Sequence, residues 1–256
     1  MPTPWLFNQW ACNPFAAEPD RDAALTIDAM GIAFETTPED VVVTPLAPAA
    51  DEPRYSVSDW YASLTADWPT VANVIPKSQH VFKSDEPDVL AFVNGSLAED
   101  QQRTSLQCFD YANYQIYVAG YRPSGPPAVS PESLLVVHEY PGPDGVRTEL
   151  QLEAMVEAVE YLKATLLAET PVLIGIRLKL FHARPNERRS TPYIEPTNHF
   201  VVAVGMGRDE RGPYVSFFDY YHEHAERDRL YLQPSLLMNS AGDFRTLTEV
   251  RRSRSR

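Results

Sequence analysis

Residues 199–221 read HFVVAVGMGRDERGPYVSFFDYY. After His199, residues 200–206 are apolar and rich in valine, the composition of a buried strand. Residues 208–212, RDERG, are polar and end in glycine, as a turn does, and 214–220, YVSFFDY, resume as a second strand. Strands so close in sequence pair as an antiparallel hairpin. Upstream, 172–180 (VLIGIRLKL) is a third strand, and the polar, proline-containing stretch 183–197 is a loop. His199 therefore opens a strand directly after a long loop. Asp219 lies near the end of the partner strand, where the two far ends of the hairpin meet.

Two helices precede these strands. Residues 106–120 (LQCFDYANYQIYVAG) place Phe109, Ala112, Ile116 and Ala119 at helical spacing, with Ser105 as the expected N-cap and Gly120 as the stop. Residues 149–168 carry the most regular pattern in the chain: Leu152, Met155, Val156, Val159, Leu162 and Leu166 recur every three or four positions. Thr170-Pro171 ends that helix. A short strand is expected at 134–138 and a turn at 141–145. In the first hundred residues the expectations are a helix at 23–30, a strand at 41–43, a loop at 45–53 and a helix at 58–66 led by Ser58. The fold class that follows is α+β, with a cysteine-bearing helix packed on a small antiparallel sheet. Residues 1–100 form an N-terminal region packed on the core, 101–240 the catalytic core, and 241–256 a basic, flexible tail ending RRSRSR.

Composition narrows the function. The chain has 256 residues, 44% of them hydrophobic, so a sizeable core is available. Its formal net charge of −13 repels phosphates, which argues against nucleic acid and anionic membranes as partners. Two cysteines, Cys12 and Cys108, are too few for a secreted disulfide scaffold, although one disulfide between them stays open. The N-terminus lacks the basic and apolar regions of a secretory signal, and no run approaches the about 18 apolar residues of a membrane span. Synthesis in the cytoplasm is expected, with any export left to a signal-independent secretion system.

The chemistry centres on Cys108. In the first turn of its helix, the unpaired N–H groups favour a thiolate and can hold a developing oxyanion. His199 can pair with that thiol as base and then acid. Asp219 can accept from the second ring nitrogen and fix the tautomer. Asp110 and Asn198 are weaker candidates for that orienting role. The competing readings are a buried structural cysteine and a strand-start histidine with no chemistry.

The order of a helix cysteine, the strand PVLIGI, then TNHFVVAVG, then a strand ending FFDYY resembles the papain-like cysteine peptidase and amidase superfamily, of the broad NlpC/P60, CHAP and C39-like type. The resemblance covers roughly residues 105–221. The context LQCFDYANYQ departs from these families around the cysteine, so it names no subfamily. It implies a papain-like fold, with Cys108 as nucleophile, His199 as base and Asp219 as orienter. It also implies amide hydrolysis through a thioester, most often of peptides or bacterial peptidoglycan, in some members as a toxin delivered to rival cells. An immunity or delivery protein would then be a partner. The alternatives are a non-enzymatic α+β binding module, and a cytosolic peptidase or acyltransferase of the same fold.

Other features carry less. His222-Glu223-His224 offers two imidazoles on one strand face, short of a metal site. Arg184, Arg188 and Arg189 read as a solvated loop rather than a carboxylate clamp. No phosphate loop, dinucleotide fingerprint or paired CxxC is present in the sequence, and no cofactor is proposed.

Overall fold

A computed structural model describes residues 56–123, 133–142, 145–178, 197–221, 228–240 and 245–256. The elements expected at 23–30, 41–43 and 45–53, most of the 183–197 loop with its arginines, and the HEH segment lie outside these residues.

Strand β5 (Val172–Leu178), β6 (His199–Asp209) and β7 (Gly212–Phe218) fall close to the apolar runs of the sequence. They are joined by β8 (Arg229–Leu232), β9 (Met238–Asn239) and β10 (Arg245–Arg251). All neighbours run antiparallel, in the order β10-β5-β6-β7-β8-β9, and β9 returns to β10 through the pair Asn239↔Thr246. The sheet is thus a closed six-stranded barrel. Closure removes the open edges that a small sheet would present to other chains. The edge of β10 beyond Thr246 is covered by β2 (Ser133–Leu135), with Arg251 opposite Ser133.

This overturns the expected papain-like arrangement of a nucleophile-bearing helix on a small antiparallel sheet. The sequence patterns of the closing strands are the physical reason. Strands β8 and β9 have four and two residues, too short to show alternation. Strand β10 reads RTLTEVR, yet its last five residues are all buried, including Glu249 and Arg251 at 0% exposure. A strand that buries an ion pair looks polar and does not read as barrel wall.

Alternation along β6 divides the core into two faces. Val201 and Ala203 join Ile174, Ile176, Phe217, Leu230 and Leu247 in the larger cluster, which also takes Met155, Val159 and Leu162 of the helix at Leu152–Leu167. Phe200, Val202 and Val204 point the other way, into a cluster with Leu173, Phe218 and the Cys108, Ala112 and Ile116 side chains. The last three lie on α3 (Cys108–Val118), the third of four α-helices among the described residues, after α1 (Val57–Ala66) and α2 (Glu86–Asn94); α4 is Leu152–Leu167. Helix α1 is capped by Ser56, not Ser58: its hydroxyl accepts from the Asp59 N–H at 3.2 Å.

The rest of the chain braces this frame. Strand β3 (Val137–Gly142) pairs with β4 (Gly145–Leu150) ahead of α4. The end of the chain, read from sequence as a flexible tail, is ordered: β11 (Ser253–Ser255) pairs with β1 (Tyr121–Pro123), and the Arg256 guanidinium sits 4.2 Å from the Tyr117 ring centre. Among the described residues, no helix is long and apolar enough to cross a membrane.

Candidate active site

Helix α3 begins at Cys108, with Gln107 as its N-cap in place of the expected Ser105. The Gln107 N–H donates to Asp110 Oδ2 at 2.7 Å, and the Arg103 guanidinium grips both Asp110 oxygens at 2.9 and 2.7 Å. A carboxylate held inside the first turn suits the helix dipole and fixes where the helix starts. Gly120 follows the helix at φ +95°, the left-handed stop expected of it. Cys108 therefore occupies the first turn, 1% exposed, and its sulfur is in a disulfide. Cys12, the other cysteine of the chain, lies outside the described residues.

His199 and Asp219 meet as the hairpin reading expects. His199 Nε2 lies 3.1 Å from Asp219 Oδ1, with both residues 2% exposed. A carboxylate can only accept, so Nε2 carries the proton and Nδ1 is left as the basic nitrogen. Asp219 is itself anchored. The Tyr221 N–H donates to Oδ1 at 3.2 Å, and the Arg245 guanidinium lies 3.6 Å from Oδ2. Arg245 also reaches Asp228 Oδ1 at 3.1 Å, so one cation spans two buried carboxylates. Nothing in the sequence flagged Arg245, because it sits in a segment with no readable pattern. Asp110 and Asn198 are committed elsewhere: Asp110 to the helix start, Asn198 to the Leu178 N–H and C=O at 2.7 and 3.0 Å.

Aromatic rings connect the histidine to α3. Tyr220 and Tyr221 lie 5.5 and 6.1 Å from the His199 ring centre. Tyr111 of α3 stacks on Tyr220 at 4.3 Å with planes 4° apart. Burial, with Tyr221 next, pushes the Tyr220 hydroxyl up, and burial, with Glu86 next, does the same to Tyr111. Both therefore stay protonated and act as neutral donors. Two residues earlier on α3, Phe109 meets Phe200 edge to face at 5.3 Å. The residues that follow Cys108 and His199 are thus in ring contact, which brings the start of α3 to the start of β6. Among the described residues, the hydrogen bond of the His199 ring is the one to Asp219, with none to the Cys108 sulfur.

A small cavity opens between α3, β6 and the chain at His80-Val81, lined by Tyr111, Gln115, Phe200 and Tyr220. Its water-accessible space is about 10 Å³, room for about one water molecule. Gln115 closes its floor by accepting from the Val81 N–H and donating to the Gln79 C=O, each at 2.7 Å.

No family model matches the chain, and no curated protein or solved structure is similar enough to count as a match.

Proposed function

We propose that the reduced protein is a thiol-dependent amide hydrolase in which Cys108 is the nucleophile, His199 the base and Asp219 the orienter. The observation that carries this reading is the buried Nε2–Oδ1 contact of 3.1 Å between His199 and Asp219, at the end of a barrel against which the first turn of α3 is packed. Nδ1 of His199 takes the thiol proton, and the thiolate adds to an amide carbonyl. The tetrahedral oxyanion collapses to a thioester as the imidazolium returns its proton to the leaving amine. Water, deprotonated by the same imidazole, then splits the thioester to a carboxylic acid and regenerates the thiol. The N–H groups at the start of α3 suit the oxyanion.

The sequence resemblance makes peptide amides of the bacterial cell wall the first substrates to try. Purified cell wall, incubated with the protein in a dithiol reductant, is expected to release peptide fragments. Cys108→Ala and His199→Ala should abolish release, and Asp219→Ala should reduce it less. Given an added export signal, the wild type but not Cys108→Ala should lyse the cells that make it. Failure of the reduced wild type to release fragments from cell wall, or to cleave peptide and isopeptide amides in a substrate screen, would overturn the reading.

The disulfide at Cys108 favours a second reading, a structural cross-link in a non-enzymatic domain. In that case reduction yields no hydrolysis and lowers stability by about 2–4 kcal/mol, seen as an earlier urea midpoint.

A further inference from the structure

Strand β10 carries a buried charge pair that the barrel does not need for closure. Arg251 Nε donates to Glu249 Oε1 at 2.8 Å, and both side chains are 0% exposed. The Ser133 hydroxyl donates to the same oxygen, while Glu249 Oε2 has no hydrogen-bond partner among the described residues. Ion pairs this deep give up their hydration and return little net stability, so their position asks for another explanation.

That position is defined by register. Glu249 stands opposite Gly175, which stands opposite Phe200; Arg251 stands opposite Leu173, which stands opposite Val202. Both charges therefore share the face that α3 covers. The missing side chain at Gly175 makes the room: a Cβ there would come within 3.0 Å of Glu249 Cβ. The Arg251 guanidinium ends 4.8 Å from the Phe109 ring centre and 5.0 Å from that of Phe200. One planar cation thus contacts both rings, and the rings contact each other. Cation–ring attraction is stronger where water is excluded.

We infer that Arg251 is a positioning residue: held by Glu249, it clamps Phe109 to Phe200 and so sets Cys108 against His199. This rests on the proposed thiol chemistry of that pair. The clamp acts one residue beyond each reacting group, at the first turn of the helix and the first residues of the strand. A displacement there moves thiol and imidazole relative to each other, and such misalignment is costly for proton transfer.

The test measures alkylation of Cys108 by a haloacetamide in the reduced full chain, followed on the Cys108 peptide by mass spectrometry across pH. Arg251→Met alone would strand the Glu249 charge, so the variant is Arg251→Met with Glu249→Gln, which removes both charges and keeps an acceptor for Ser133. This double variant is expected to melt at or above the wild-type temperature. Its Cys108 should alkylate at neutral pH about tenfold or more slowly, with the profile moved toward that of an ordinary thiol. Phe109→Leu, which leaves both charges in place, should give the same slowing and answers the question if the double variant does not fold. Arg251→Lys, which keeps the charge but not the planar face, should fall between. Wild-type rate and pH profile in a folded double variant and in Phe109→Leu would overturn the clamp while leaving the thiol chemistry intact. A wild-type thiol that behaves as an ordinary one, with His199→Ala unchanged from it, would instead remove the thiol chemistry, and the clamp with it.

Discussion

An alanine methyl at Gly175 would come 2.6 Å from Thr197 Cγ2 and 3.0 Å from Glu249 Cβ. Both neighbours are fixed, Thr197 by a 2.8 Å hydroxyl contact with Thr248 and Glu249 by Arg251. Gly175→Ala should therefore destabilise the fold by about 1–3 kcal/mol, read from urea unfolding. A shift below about 0.5 kcal/mol would show that this face of the barrel yields more easily than its contacts imply. His199 and Asp219 were legible at this scale because each interrupts an apolar run at the point where a strand begins or ends. Arg245 and Arg251 were not. A buried arginine is written in the same letter as a solvated one, and RRSRSR reads as a tail until its partners are known.

At the scale of elements, the hairpin of β6 and β7 was legible from its two apolar runs, and its turn predicts a pH dependence. Asp209 accepts from the Arg211 N–H at 2.9 Å, the Arg229 guanidinium at 2.7 Å and the Tyr231 hydroxyl at 3.0 Å. Burial works to raise its carboxyl pKa, but these donors outweigh burial and hold it below the usual carboxylate value. A depressed carboxyl stabilises the fold fully above its unfolded pKa of about 3.9 and loses that contribution as pH falls through the lower folded value. Asp209→Asn should thus cost stability at neutral pH and flatten the acid limb of a melting-temperature profile below about pH 4. An unchanged acid limb would place the acid sensitivity elsewhere. The helices at Cys108–Val118 and Leu152–Leu167 were also legible from their spacing, with starts displaced by two or three residues. The displacement at α3 has a clear cause: Asp110, inside the first turn, accepts from the Gln107 N–H and so makes Gln107 the N-cap in place of Ser105.

For the molecule as a whole, the barrel went unread because its closure depends on strands with no pattern. Asn239↔Thr246 is a single pair between a two-residue strand and one with a buried ion pair, and neither partner announces itself. The consequence for function is that His199 and Asp219 sit on a closed frame, with α3 laid across it and pinned by Gln115, Tyr111 and the Phe109–Phe200 contact. The His199–Asp219 contact involves no residue of α3, so under the proposed function reduction alone should create the reactive pair. The most direct measurement is the pH profile of haloacetamide alkylation at Cys108 in the reduced wild type beside that in His199→Ala. The expected result is rapid wild-type labelling at neutral pH, with a midpoint below the about 8.5 of an ordinary thiol, returning to that value in His199→Ala. Superimposed profiles for the two proteins, both rising near 8.5, would contradict a thiol activated by His199.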